Sequence, residues 1–232
     1  MPRNARIAPQ EQVYHLLTRG NNRQDVFAEE KDYEKYLEIL SRYKERYGFK
    51  LYHYVLMTNH VHLTLETMEG GGSLADIMKG INLSYAQYYK TQYGHIGHFW
   101  QDRYKSILVS KDEYLLACGS YVELNPVRAK LSEDPKDYKW SSYRVYAFGK
   151  KDPVLDEHPI YLELSTEEKE RRKAYREFVK GMLLSRNGMR GEMEGKIIYG
   201  SKTFLGRAKA LLGIEERVKV RGRPKKQERY EK

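Results

Sequence analysis

Apolar residues along this chain recur at two spacings. Between Glu29 and Tyr47 they stand at Tyr33, Tyr36, Leu37, Leu40, Tyr43 and Tyr47. These steps of three and four lay one stripe along a helix, and Gly48 follows in position to cap it. A second stripe, built from Leu74, Ile77, Met78, Ile81, Tyr85, Tyr88 and Tyr89, runs through Leu74–Tyr93. It follows a flexible Gly70-Gly71-Gly72 joint and Ser73, a good N-cap. Short apolar runs predict strands over Gln12–Thr18, Phe49–Met57, His60–Glu66 and Tyr104–Val109, the middle two meeting at a polar Thr58-Asn59 turn. The order strand, helix, strand, strand, helix, strand predicts the α+β class: a ferredoxin-like split βαβ antiparallel sheet with helices on one face.

A third helix is expected over Lys111–Asn125, with Ser110 as N-cap and Asp112 and Glu113 in the first turn, where the helix dipole favours acids. Pro126 should end or kink it near Asn125. Leu131–Gly149 reads as a loop anchored by Trp140 and Tyr143. Ser165–Leu184 opens with a capping-box pattern and reads as a helix, and Phe204–Leu212 as a shorter one. The chain divides accordingly into an α+β domain over 1–150, a mainly helical C-terminal extension over 151–216 and a basic, disordered tail over 217–232.

Composition adds a partner class. The 232 residues carry a net charge of +10, which points to an anionic partner, most simply nucleic acid. Tyrosine is abundant, at 21 residues, and can stack on bases, although most of these tyrosines are accounted for as core-rim residues. Cys118 is the single cysteine, which rules out an internal disulfide and a Cys-based zinc site. No apolar run approaches the ~18 residues of a membrane span and the N-terminus has no apolar signal core, so a soluble, cytoplasmic protein is expected.

The candidate chemistry begins in LYHYVLMTNHVHLTL. His60 and His62 alternate with Val61 on a strand and project to one face, where two imidazoles can bind a divalent metal. The plain alternative is two packed histidines beside a turn. Tyr121 lies in YVELNPVR with Asn125 four residues on, on the same helix face. If that face meets the sheet surface bearing the histidines, a phenol, an amide oxygen and two imidazoles converge. A metal held by His60, His62 and the Asn125 side-chain oxygen would then polarise a phosphate that Tyr121 attacks. As alternatives, Tyr121 would be a core-rim aromatic and Asn125 a helix terminator before Pro126. Tyr114, seven residues earlier, is the rival nucleophile. His53, His95 and His98 read as surface or loop histidines.

Thr58-Asn59-His60-Val61-His62 resembles the His-hydrophobic-His signature of the HUH nucleases. With Tyr121 in YVELNPVRA, FWQDRYKS at 99–106 and RGNNR at 19–23, the chain over about residues 10–150 resembles the single-tyrosine HUH transposases, in particular the REP-associated tyrosine transposases. That resemblance implies a ferredoxin-like domain binding single-stranded or hairpin DNA, and a Mg²⁺ or Mn²⁺ ion on His60 and His62. It implies a Tyr121 linked to a 5′ phosphate while a 3′ hydroxyl leaves. Asn125 stands where the family places a third polar ligand, often Gln. Relatives are dimers with the tyrosine helix exchanged, or monomers, so a monomer or homodimer is expected. DNA contacts are expected from Arg19, Asn21, Asn22, Arg23, Trp100, Arg103 and Arg128, with core support the alternative for Trp100 and Arg103. Arg221-Gly222-Arg223-Pro224-Lys225-Lys226 resembles an AT-hook, whose arginines Arg221 and Arg223 would enter a minor groove. Competing functions are a DNA-hairpin-binding regulator without turnover and a relaxase-like replication or conjugation nickase.

Overall fold

The computed structural model describes residues 8–184 and 196–212. Four strands, β1 (Val13–Arg19), β2 (Lys50–Met57), β3 (His60–Glu66) and β4 (Lys105–Val109), and two helices, α1 (Glu30–Tyr47) and α2 (Leu74–Tyr93), lie where the two spacings put them. Their ends are set by local chemistry. Glu29 and Asp32 form a reciprocal capping box at the start of α1, and Gly48 closes it in the left-handed region. Ser73 accepts from Asp76 N at the start of α2.

The sheet order is β2-β3-β1-β4, the split βαβ order, with these four strands antiparallel. A short β5 (Ile198–Tyr199) extends the edge parallel to β4, so the sheet is mixed where the sequence pattern predicts an antiparallel one.

The expectation of helices on one face is corrected. α1 and α2 cover one face, packing Tyr36, Leu40, Ile77 and Ile81 against Leu16, Val61, Leu63 and Leu65. The other face is covered by α3 (Glu113–Glu123), which packs Leu115 and Cys118 against Val13, Tyr52 and Val109. Strand alternation conceals this second burial, because the α3 side of the sheet also carries polar groups such as His15, His62 and Thr64, which look like a wet face. A register shift between Leu51 and His53 adds to it: both Tyr52 and His53 turn toward α3 although they are adjacent.

α3 begins two residues later than expected. Its N-cap is Asp112, which accepts from Tyr114 N, and Ser110 donates its hydroxyl to the Asp112 carboxylate. Pro126 interrupts the helix, as its missing N–H dictates, leaving a one-turn α4 (Asn125–Arg128).

The stretch read as a loop over Leu131–Gly149 contains α5 (Tyr143–Phe148), and Trp140 stacks on Tyr33 as an anchor. α5, α6 (Pro159–Leu162) and α7 (Glu168–Leu184) bury Tyr146, Tyr161, Tyr175 and Val179 against Leu116 and Leu124 around α3. A last helix, α8 (Lys202–Leu211), follows β5. No described helix is long and apolar enough to cross a membrane.

Candidate active site

β3 starts directly after the hairpin turn, and its alternation puts His60 and His62 on the α3 face with ring centroids 5.0 Å apart. The second nitrogen of each ring is occupied. Asn59 Nδ2 donates to the Arg23 carbonyl, which turns Asn59 Oδ1 to His60 Nδ1 at 2.6 Å. His60 therefore carries its proton on Nδ1 and keeps an Nε2 lone pair. His62 Nδ1 lies 2.8 Å from Nε2 of His15, a buried histidine of β1. The nitrogen that each ring leaves for a metal is thus Nε2, and two imidazoles on one face are a donor pair that suits a divalent transition-metal-type cation. Among the described residues no group of three or more His, Cys, Asp or Glu side chains is placed to hold a metal ion, so further ligands would be amide, solvent or substrate oxygens.

The rings are held neutral. Burial pushes His15 down to about 4, and burial followed by the Arg19 charge does the same to His60. His62 is driven well below the usual range by burial and by His15, His60 and Arg19. Burial and His53 likewise depress His158. Above pH 6.5 such groups are neutral folded and unfolded, and do not affect stability. As the pH falls from about 6.5 toward 4 the unfolded chain takes up protons that the fold refuses, and stability drops. His15 alone contributes a loss of about 3 kcal/mol at pH 4. The midpoint of thermal unfolding should be level from pH 7 to 8 and fall steeply below 6; equal midpoints at pH 4.5 and 7.5 would contradict it.

The tyrosine helix meets this face. Tyr121 stands edge-on to His62, centroids 6.1 Å apart at 86°, and edge-on to His15, at 5.9 Å and 87°. Arg128, from the turn after the Pro126 break, lies over the Tyr121 ring at 5.2 Å, a cation–π contact. The rival Tyr114 packs edge-on against Tyr199 at 4.9 Å, toward the β5 edge. Asn125 donates Nδ2 to the carbonyls of Tyr121 (2.8 Å) and Val122 (3.2 Å). The Val122 carbonyl is the one whose helical donor Pro126 lacks, so the amide replaces that N–H. Asn125 therefore does what a helix terminator does, and only its Oδ1 remains for a ligand role.

Three loops gather at the same end of the sheet. Gly20 N donates to Asn59 O, Asn21 N to Phe99 O and Gln101 N to Arg19 O. A Cβ on Gly20 would lie 2.4 Å from Gln24 O, so this turn demands glycine. Arg19 pairs across the sheet with His60, and its charge acts on both His60 and His62. Asn22 and Arg23 are exposed and both adopt left-handed φ, while Asn21 is half-buried. Trp100 donates Nε1 to Asn82 O and packs on the α2 core, which is the supporting role, whereas Arg103 is exposed. Arg221 and Arg223 lie outside the described residues.

Sequence reasoning passed over two buried groups. His15 sat in an apolar run; its only signal was the alternation placing it on the face of Leu17 and Arg19. His53, read as a surface or loop histidine, is fully buried: Gly119 on α3 leaves room for its ring, and its Nδ1 bonds Glu123 at 2.9 Å. Glu123 also accepts from Ser142 Oγ (2.6 Å) and Tyr175 OH (2.7 Å), which joins β2, α3 and α7. His95 is half-buried and His98 exposed, both in the link after α2.

A split βαβ sheet bearing a His-hydrophobic-His pair under a tyrosine helix defines a class of DNA-processing protein. The model of the IS200-like transposases matches residues 10–125, half of the chain, and the protein belongs to that family of DNA transposases. Among solved structures it is similar to a REP-associated tyrosine transposase bound to a REP hairpin, with TM-score 0.54 and 17% identity, covering 68% of this chain and 95% of that one. That likeness is one of fold. A candidate transposase from Deinococcus radiodurans R1 matches at TM-score 0.37 and 19% identity over 57% of this chain and 94% of that one. No curated protein matches the sequence.

Proposed function

We propose that the protein is a single-tyrosine HUH transposase of the REP-associated branch, a metal-dependent endonuclease and strand transferase acting on single-stranded, hairpin-bearing DNA. The observation that carries this reading is the seating of Tyr121 edge-on against His62 within one chain. The structural relative bound to a REP hairpin supports the choice of DNA.

His60 and His62 would hold Mg²⁺ or Mn²⁺ through Nε2, with Asn125 Oδ1 the candidate third ligand, and the ion would supply Lewis-acid polarisation of the scissile phosphate. Tyr121 Oη attacks phosphorus in line. The Oη–P bond forms, the P–O3′ bond breaks, and the 3′ oxygen leaves as a hydroxyl, so the phenol exchanges its proton for the 5′ phosphoryl group. Rejoining reverses these bonds, so no nucleotide cofactor is consumed. Arg19 and Arg128 offset phosphate and phenolate charge, while Arg23, Asn21 and Asn22 offer donors to the backbone at the same end of the sheet.

The test is an oligonucleotide carrying a hairpin and single-stranded flank from beside the protein's own gene, incubated with Mn²⁺ or with a chelator. A covalent protein–DNA adduct, formed only with the ion, is expected. Tight hairpin binding with no adduct under any ion would instead establish the binding regulator.

A further inference from the structure

The described residues hold one buried group at the site that the reaction above does not use. His15 is 4% exposed, lies parallel to His62 (centroids 5.0 Å, 3° between planes) and presents Nε2 to His62 Nδ1 at 2.8 Å. Its other nitrogen, Nδ1, is buried with no hydrogen-bond partner. A single proton sits between the two rings, which allows two arrangements. If His15 donates, His62 carries its own proton on Nε2 and cannot ligate there. If His62 donates from Nδ1, its Nε2 lone pair is free, and His15 bears an unpaired Nδ1–H. A cation on Nε2 admits only the second.

Resting on the metal reading above, we infer that His15 is a positioning residue: it accepts the His62 Nδ1 proton and so fixes the tautomer and ring plane in which His62 binds metal. Asn59 does the same for His60, but from the surface and by an amide. The two ligands are thus oriented from two different elements, the hairpin turn and β1. With the nitrogens 2.8 Å and the centroids 5.0 Å apart, the two rings lie side by side in nearly one plane, so the His62 ring cannot turn about its Cβ–Cγ bond without losing the hydrogen bond. The Tyr121 ring rests edge-on against both imidazoles, so the same contact sets the spacing between nucleophile and ligand. Loss of an outer partner of this kind weakens metal affinity by about 10- to 100-fold in known sites.

The experiment is Mn²⁺ binding, followed by the free-ion electron paramagnetic resonance signal, on full-length wild type, His15→Phe and His15→Gln without DNA. Phe keeps a flat ring in the plane beside His62 and removes the acceptor. Gln places an amide oxygen where Nε2 stood. The expected result is a Kd raised about 10- to 100-fold in His15→Phe and largely restored in His15→Gln. Equal affinity of His15→Phe and wild type overturns the inference, and so does a Gln variant as weak as Phe, since the ring rather than its acceptor would then matter. Wild type that binds no Mn²⁺ rejects the metal site itself, a separate failure. Should His15→Phe not fold, nitrogen NMR of the wild-type histidines with Zn²⁺ as a diamagnetic ion decides: His62 must be protonated at Nδ1, and a bare Nδ1 overturns the inference.

Discussion

Tyr121→Phe should leave no covalent protein–DNA adduct and should lower cleavage by about a thousandfold or more. The phenylalanine ring retains the edge-on contacts with His15 and His62 and the overlying Arg128, so what disappears is one oxygen. Hairpin affinity should remain within about twofold of wild type, because phosphate contacts carry most of such binding. Denaturing electrophoresis of a labelled oligonucleotide after incubation with Mn²⁺ reads both products. A full-strength adduct in this variant would move the nucleophile elsewhere, and the position of Tyr114 against Tyr199 makes that a demanding alternative.

Glu123→Ala should be the most destabilising single change near the site, by about 3–5 kcal/mol. Glu123 is fully buried, and three donors converge on its carboxylate: His53 Nδ1, Ser142 Oγ and Tyr175 OH. Burial, and then the carboxylate itself, push the Tyr175 phenol upward, so it keeps its proton and donates. Alanine strands all three donors in a dry interior and opens a cavity between β2 and α7. For a chain of this length the melting temperature should fall by roughly 10 °C. Adduct formation should fall with it even where the protein is still folded, since Glu123 lies two residues beyond Tyr121, the proposed nucleophile. Tyr175→Phe removes a single donor and should be much milder. A Glu123→Ala protein melting with wild type would show that the helix is held by its apolar contacts alone.

The sheet and its first two helices were legible because each buries one clean stripe, and stripes survive in sequence. Ser73, Gly48 and the Thr58-Asn59 turn are local signals that tertiary contacts have no reason to override. The pairing of Tyr121 with the histidines was legible only through motif resemblance, since no spacing reveals which face of a sheet a later helix will cover. What stayed hidden shares one physical cause: polar residues buried on an apolar face. His15, His53 and Glu123 look like surface or catalytic side chains in sequence, and only their partners, at separations of 47 to 70 residues for the two histidines, explain them. Asn125 illustrates the opposite difficulty. Its type and position suggested a ligand, yet its amide nitrogen spends itself on a carbonyl that Pro126 left without a donor.

The clasp on Glu123 also has a bearing on timing. Tyr175 comes 52 residues after Glu123, and Ser142 comes 19 after it. Two of the donors to Glu123, His53 and Ser142, precede α7 in the chain, and the third, the Tyr175 hydroxyl, is synthesised only with α7. A chain cut before α7 therefore lacks one of the three bonds that hold the last turn of the Tyr121 helix.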